Sequence, residues 1–257
     1  MDEHPLTGGF VNSVVRVGST VHRSSGAWTP AVHALLEYLA EVGFAEAPRV
    51  LGMDDQNREV LTYIEGTAAL RWSDWPDFML NGDGIDQLGD LLRRYHQAVR
   101  GFRPPPDAQW RIRIAPQEDE LLRHGDFSPP NTIWRDDKVV GLVDWDFAQP
   151  GMAISDLAYL AWYAVPLAGD DRAQTCGFKD GVDRAGRLRA LCSAYGQHDP
   201  RDVIAEAVRI IGLESVQMAE LAQRGVQPWV DFVATGNLEA FSIEAAWIRE
   251  NVKLLLS

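Results

Sequence analysis

The first part of the chain alternates short β-type runs with one helical stretch. Residues 10–17 (FVNSVVRV) and 20–23 (TVHR) are rich in β-branched side chains and flank Gly18-Ser19. That pattern predicts a hairpin, preceded by the flexible pair Gly8-Gly9. Thr29-Pro30 predicts a helix N-cap followed by proline at the first helical position. Val32, Leu35, Leu36 and Leu39 then recur at i, i+3, i+4 and i+7, and Gly43 marks the end. Two more strands are expected around 49–52 and 59–64, on either side of the turn-forming run Asp54-Asp55-Gln56-Asn57. Two strands, a helix and two strands make residues 1–64 a small α+β unit.

Past Glu65-Gly66 the periodicity becomes mostly helical. Ile85, Leu88, Leu92, Tyr95 and Val99 share one face of a helix ending near Gly101. Residues 101–117 hold Pro104, Pro105, Pro106 and Pro116 and read as an irregular connection. A β-hairpin is expected from 131–134 and 139–143, turning at Asp136-Asp137. From Ser155 to the end the pattern is helical, broken near 169–171, 199–200 and 225–228. No internal repeat is visible. The expected organisation is a small lobe over 1–64, a hinge at about 63–66, and a larger, mainly helical lobe over 67–257.

Composition narrows the class. Hydrophobic residues at 46% and charged residues at 24% describe a globular chain, and its 257 residues can bury a substantial core. Lys plus Arg number 24 against 37 Asp plus Glu, a net charge of −13 with no basic patch. This argues against nucleic acid and anionic membranes as partners. The acidic surplus would suit a cationic small molecule, and equally serves as solvated surface. Cys176 and Cys192 lack CxxC spacing and read as reduced thiols. The start, MDEHPLTGG, has no apolar run, and the longest apolar stretch, 157–168, is too short to cross a bilayer. A soluble, cytoplasmic protein is expected, with monomer and homodimer both open.

The chemistry concentrates in His124-Gly125-Asp126-Phe127-Ser128-Pro129-Pro130-Asn131, followed by Val139-Val140-Gly141-Leu142-Val143-Asp144. Phosphoryl transfer needs a carboxylate near the attacking hydroxyl and oxygen ligands for Mg²⁺ on the phosphates. A His-x-Asp-x-x-x-x-Asn loop can set Asp126 at the acceptor and Asn131 at the metal. Asp144, ending an apolar strand after a tight turn, can approach the same metal from another side. The spacing matches the kinase catalytic loop and its downstream metal-binding Asp. Each piece alone also fits a turn or a cap; the ordered combination is the signal.

HGDFSPPN, followed by VVGLVDWDFAQPGMAISDLAYLAW, resembles the aminoglycoside phosphotransferase and choline kinase family. The likeness is strongest over 121–162 and weaker in the first lobe and the last part of the chain. It implies a two-lobed protein-kinase-like α+β fold, with a small β-rich N-lobe and a larger, mainly helical C-lobe. ATP or GTP would bind between them with Mg²⁺. By the same resemblance Asp126 is the catalytic base or orients the hydroxyl, and Asn131 and Asp144 hold the metal. Asp156 braces the catalytic loop. Gly9 belongs to a nucleotide-covering loop, Tyr63 and Ile64 to the hinge against the purine, and Ile133 lies beneath the base. Asp146 reads more readily as an exposed turn residue than as a ligand.

Two positions depart from the family pattern. Arg23 stands where the phosphate-gripping lysine is expected, keeping the charge but changing its geometry. His33 stands near the expected partner glutamate, with Glu37 one turn later, and a neutral His cannot form the usual ion pair with Arg23. The function implied is a small-molecule kinase moving the γ-phosphate of ATP or GTP to a hydroxyl of an aminoglycoside-like, amino-alcohol or sugar acceptor. The alternative is a nucleotide-binding relative with little catalysis and a regulatory, sensing or immunity role. The acceptor would be read by residues 166–257, where Glu206, Glu214, Glu220, Asp231, Glu239 and Glu244 are candidates for a cationic group. Trp162, Tyr163, Trp229, Phe232 and Trp247 fill the core or line that pocket. His96 reads as a hydrogen-bonded core residue, the six histidines lack zinc spacing, and no GxSxG elbow is present.

Overall fold

Strands β1 (His4–Pro5), β2 (Val14–Val17), β3 (Thr20–Ser24), β4 (Val50–Met53) and β5 (Arg58–Thr62) form an antiparallel sheet in the order β1-β2-β3-β5-β4. The computed structural model describes residues 3–6, 14–68, 75–80, 82–112, 120–179, 181–196 and 198–257. The predicted first hairpin is present as β2 and β3, with Val17 opposite Thr20 across Gly18-Ser19. Gly8-Gly9 and residues 10–13 lie outside the described residues. Helix α1 (Thr29–Glu41) buries the stripe Val32, Leu35, Leu36 and Leu39, as its periodicity requires. Its start differs by one residue from the expectation. Trp28 holds the cap position, and the Thr29 hydroxyl, already inside the helix, accepts from the Gly26 N–H at 2.9 Å.

The remaining strands make two small sheets. β6 (Thr67–Ala68) pairs with β8 (Thr132–Arg135), which pairs with β9 (Lys138–Leu142). The turn between β8 and β9 puts Asp136 and Asp137 at φ of 50° and 58°, left-handed values that Asp tolerates better than bulkier residues. β7 (Leu121–Arg123) pairs antiparallel with β10 (Gln149–Gly151). This pairing brings the start of the His124 loop beside the end of the Asp144 turn.

Helices α2 (Asp77–Leu80), α3 (Gly82–Val99), α4 (Ala153–Ala164), α5 (Asp170–Thr175), α6 (Arg184–Tyr195), α7 (Pro200–Gln223), α8 (Trp229–Ala234), α9 (Asn237–Glu250) and α10 (Val252–Leu255) complete the described chain. α3 packs on α6, and α7 packs on both α4 and α9. Asp199 caps α7 by accepting from the Arg201 N–H at 2.9 Å, with Pro200 opening the helix. The expected break falls at 165–169, with Asp170 and Asp171 opening α5, and the chain also leaves helix at 176–179 and 181–183, which the pattern does not reveal. The buried guanidinium of Arg187 donates to carbonyls of Met79, Leu80 and Ala164, so α6 holds the ends of α2 and α4. Among the described residues, no helix is long and apolar enough to cross a membrane.

Candidate active site

The His124–Asn131 loop is held from three sides. Asp156, in the first turn of α4, accepts from the backbone N–H groups of His124 and Gly125 at 2.8 and 3.1 Å. Its second support is the buried His96 ring at 3.2 Å, whose other nitrogen meets the Tyr195 hydroxyl at 2.7 Å. Burial pushes the Asp156 carboxyl up, but the His96 hydrogen bond and the Arg123 charge outweigh it and hold it down at about 2. The His124 ring donates from Nε2 to the Val143 carbonyl at 3.1 Å and accepts at Nδ1 from the Asp126 N–H at 3.3 Å. That pattern needs a neutral ring, and burial lowers the His124 pKa to about 4. One imidazole thus ties the loop to the strand end that carries Asp144.

Gly125 permits the close approach of the two segments. Its φ is +80°, and a Cβ there would lie 2.0 Å from the Phe147 carbonyl oxygen. Gly125→Ala is therefore expected to lower the melting temperature by several degrees or to abolish the fold, read by thermal denaturation. A melting temperature within a degree of wild type would show that this packing is not needed.

Asp144 leaves β9 in the left-handed region, φ 62° and ψ 66°, and opens a 3-10 turn over Trp145–Phe147. A non-glycine residue in that region stores strain that surrounding contacts must hold. Trp145 supplies them: it is buried, stacks edge-on against Tyr95 and His124, and donates from Nε1 to the Leu142 carbonyl at 3.0 Å. The turn leaves the Asp144 side chain 35% exposed while Asp146 is only 3% exposed. Asp146 is therefore not the exposed turn residue its sequence context suggests. One of its oxygens pairs with Arg23 and the other accepts from Arg111 Nη1 at 2.7 Å.

Arg23 is the hub of the charged cluster. It pairs through Nε with Glu59 on the neighbouring strand β5 at 2.8 Å, through Nη1 with Asp144 at 3.4 Å, and through Nη2 with Asp146. Burial alone would ease its proton off, but Asp144, Asp146 and Glu59 raise its pKa above the ordinary arginine value. His33 from α1 meets the second Glu59 oxygen at 3.0 Å. The departure at His33 thus has a structural counterpart. The acid beside Arg23 comes from β5, and the helix contributes a histidine to that acid, while Glu37 is exposed.

Arg23, Tyr63, Ile64, Asn131, Ile133 and Asp144 line a single cavity of about 450 Å³. Its other walls are mostly apolar, including Val21, Leu36, Leu61 and Val143. Gly66, at the rim, has no room for a Cβ: one would stand 2.6 Å from Ile133 Cγ2 and 2.7 Å from the Trp134 carbonyl oxygen. The Tyr63 N–H is already used, donating to Ser19 O at 2.9 Å, and the Tyr63 ring carries the Arg16 guanidinium 3.7 Å from its centre. Asp126 stands just outside this lining, and Gly9 lies outside the described residues. Burial and the neighbouring Asp144 carboxylate raise Asp126 to about 7, against hydrogen bonds from Tyr159 and Asn131.

The donor set suits a magnesium ion with nucleotide phosphates. Asn131 donates from Nδ2 to the Asp126 carbonyl at 2.9 Å, which directs its side-chain oxygen to serve as a ligand. With Asp144 this makes two hard oxygen donors on one cavity, and Mg²⁺ usually takes one or two protein ligands, its remaining positions filled by phosphate oxygens and water. The mostly apolar walls, with Arg23 and the carboxylates of Glu59, Asp144 and Asp146 on the same cavity, likewise suit a purine nucleotide with its metal ion.

A family model described as "Phosphotransferase enzyme family" matches residues 3–122 and 107–200. The chain belongs to the phosphotransferase enzyme family. It is also 36% identical over 200 residues to the trifolitoxin immunity protein of Rhizobium leguminosarum bv. trifolii, covering 76% of this chain and 74% of that protein. Among solved structures, an amicoumacin kinase, hAmiN, in complex with AMP-PNP, Ca²⁺ and Ami has a TM-score of 0.64 at 14% identity, over 96% of this chain and 88% of that one. The GDP complex of aminoglycoside 2'-phosphotransferase-IIIa has a TM-score of 0.63 at 16% identity, over 96% and 93%. A choline/ethanolamine kinase family protein from Mesorhizobium loti has a TM-score of 0.60 at 16% identity, over 97% and 93%. The two-lobed, protein-kinase-like α+β fold of this phosphotransferase family member is thereby shown.

Four residues of the site escape a linear reading. Glu59 is one charged residue in a strand, Asp146 one acid in a turn, and Arg111 one cation in a proline-rich connection. Only the β3–β5 pairing and the Asp144 turn bring Glu59 and Asp146 to Arg23, and Arg111 joins them through Asp146. Tyr159, on α4, lowers the Asp126 pKa through its hydroxyl, and its ring lies 5.2 Å from that of Tyr163. Its signal was the helical spacing from Asp156, which sets it on the face that carries the loop. Of the six carboxylates proposed for acceptor binding, Glu206 is engaged by Ser155 and Arg209, and Glu244 by Trp162 and Arg172. Glu214, on α7, is close enough to raise the Asp126 pKa further, and burial raises its own to about 7.

Proposed function

We propose that this phosphotransferase family member is a kinase that transfers the γ-phosphate of ATP or GTP to a hydroxyl of a small molecule, with Mg²⁺. The observation that carries this reading is the convergence of Arg23, Asn131 and Asp144 on one apolar-walled cavity, with Asp126 beside it. In this reading residues 1–64 form the nucleotide lobe, 63–66 the hinge, and 67–257 the catalytic and acceptor lobe. Asn131 and Asp144 would hold the metal, which neutralises charge on the phosphates when bound. Arg23 supplies a fixed cation for phosphate oxygens at the other end of the same cluster. Tyr63, Ile64 and Ile133 flank the base, and Gly9 covers the phosphates. Asp126 takes or orients the acceptor proton, held by Tyr159 and by the His124 and Asp156 supports of its loop.

Tyr159, Tyr163 and Glu214 stand near enough to Asp126 to be coupled to it electrostatically, and an acceptor seated beside them would be a hydroxyl compound bearing a cationic or hydrogen-bonding group. An aminoglycoside-like, amino-alcohol or sugar acceptor meets that description. Similarity to an immunity protein favours a second reading, in which the chain protects against a toxic compound. Phosphorylation of that compound would unite the two; binding without transfer would separate them. The experiment is phosphate transfer from γ-labelled ATP and GTP, with Mg²⁺, to a panel of hydroxyl acceptors that includes trifolitoxin. Labelled product from any acceptor, dependent on Mg²⁺, is expected. Tight acceptor binding with no labelled product under any condition would instead favour the binding-only reading.

A further inference from the structure

Arg111 takes no part in the reading above, yet it touches three separate parts of the molecule. Its guanidinium carbon lies 4.4 Å from the centre of Trp28, 5.1 Å from Phe147 and 5.5 Å from Trp229. Trp28 caps α1, Phe147 ends the turn that begins at Asp144, and Trp229 opens α8. The guanidinium also donates to Asp146 at 2.7 Å, and the side chain is only 12% exposed. Burying a guanidinium is costly unless it is paired, and stacking among aromatic faces with one shared carboxylate restores part of that cost.

The polar contacts continue without a gap from His33 through Glu59, Arg23 and Asp146 to Arg111. Asp144 joins this chain at Arg23. Glu59, Asp144 and Asp146 all draw on Arg23, and Arg111 relieves it of part of the claim of Asp146. Phe147 and Asp146 are adjacent in sequence, so one guanidinium both stacks on and bonds to the turn that orients Asp144. Lysine could supply the charge but not the planar surface that meets these rings.

We propose that Arg111 is a positioning residue for the metal and nucleotide site: it fixes Asp146, and through it the Asp144 turn, and ties that turn to α1 and α8. The proposal rests on the reading of Asp144 as a magnesium ligand. It predicts that Mg²⁺-dependent nucleotide binding passes through the Arg111–Asp146 contact, although neither residue needs to touch the metal.

Calorimetric titration of a non-hydrolysable ATP or GTP analogue, with and without MgCl₂, tests it on wild type, Arg111→Met, Arg111→Lys, Asp146→Asn and Arg111→Met with Asp146→Asn. Arg111→Met is expected to weaken Mg²⁺-dependent binding about tenfold or more, the usual worth of a charged hydrogen bond. Arg111→Lys is expected to recover only part of the loss. The double variant is expected to be little worse than Asp146→Asn alone, because that substitution already removes the charge that Arg111 meets, together with the one that Arg23 meets. A purely structural clamp would instead lower the melting temperature of Arg111→Met while leaving its Mg²⁺-dependent affinity within about twofold of wild type, and that result overturns the proposal. Additive losses in the double variant overturn the route through Asp146. If Arg111→Met does not fold, Arg111→Lys decides: wild-type affinity in that variant overturns the proposal. A wild-type protein that binds neither nucleotide removes the metal-site reading itself, a failure distinct from unaffected variants of a binding protein.

Discussion

Asp126→Ala is expected to slow phosphate transfer by about two to four orders of magnitude while leaving Mg²⁺-dependent nucleotide binding within a few-fold of wild type. The side chain stands outside the lining of the cavity but next to Asp144, so in the proposed reading its loss removes the group facing the acceptor and spares the one facing the phosphates. Burial and the Asp144 carboxylate raise its pKa to about 7, and two consequences of opposite sign follow. If the ionised carboxylate is the working form, kcat/KM for the acceptor rises with pH through about 7. Stability runs the other way. A carboxyl whose folded pKa lies above its unfolded one binds its proton more tightly when folded, so its contribution falls as pH rises from the ordinary carboxylate range through about 7. Asp126→Asn is therefore expected to be more stable than wild type at pH 8 and much closer to it at pH 4, by about 2–4 °C in melting temperature for each kcal/mol relieved. A folded Asp126→Ala protein with near-wild-type turnover would remove the catalytic assignment, whatever the stability data show.

Asp144→Ala is expected to abolish the Mg²⁺ dependence of ATP and GTP binding in calorimetric titration. In the proposed reading Asp144 and Asn131 are the metal's protein ligands, and one amide oxygen is a poor magnesium site without a carboxylate. Loss of solvent around the partly exposed carboxyl, with the Asp146 carboxylate beside it, raises the Asp144 pKa against the pull of Arg23, so metal binding should also displace a proton as pH falls toward the acid range. In metal-free buffer, Asp144→Ala frees Arg23 from one of its three carboxylates, and nucleotide binding without Mg²⁺ is expected to hold or improve slightly. Undiminished Mg²⁺-dependent affinity in this variant would exclude Asp144 as a ligand. The contrast with Asp126→Ala is the discriminating pair: one variant loses transfer and keeps Mg²⁺-dependent binding, the other loses transfer and the Mg²⁺-dependent part of binding.

Much of this molecule is determined by the sequence alone, where the signal is local and periodic. The Val32, Leu35, Leu36 and Leu39 stripe specifies α1 because burying one helical face is favourable wherever the helix ends up packing. The Asp136-Asp137 turn and its flanking β-branched residues specify the β8–β9 hairpin for similarly local reasons. HGDFSPPN and the run to Asp144 are legible as a candidate site because they are contiguous residues at a fixed spacing. What only the tertiary structure decided is the company of charges. Glu59 reaches Arg23 because β3 and β5 are neighbours in the sheet, a pairing that places Arg23 opposite Glu59 across residues far apart in the chain. Asp146 is buried rather than exposed because the left-handed step at Asp144 turns the next residues inward, where Arg23 and Arg111 wait for it. A charge in a linear sequence carries no sign of its partner, because Coulomb energy depends on distance and local dielectric, and folding sets both.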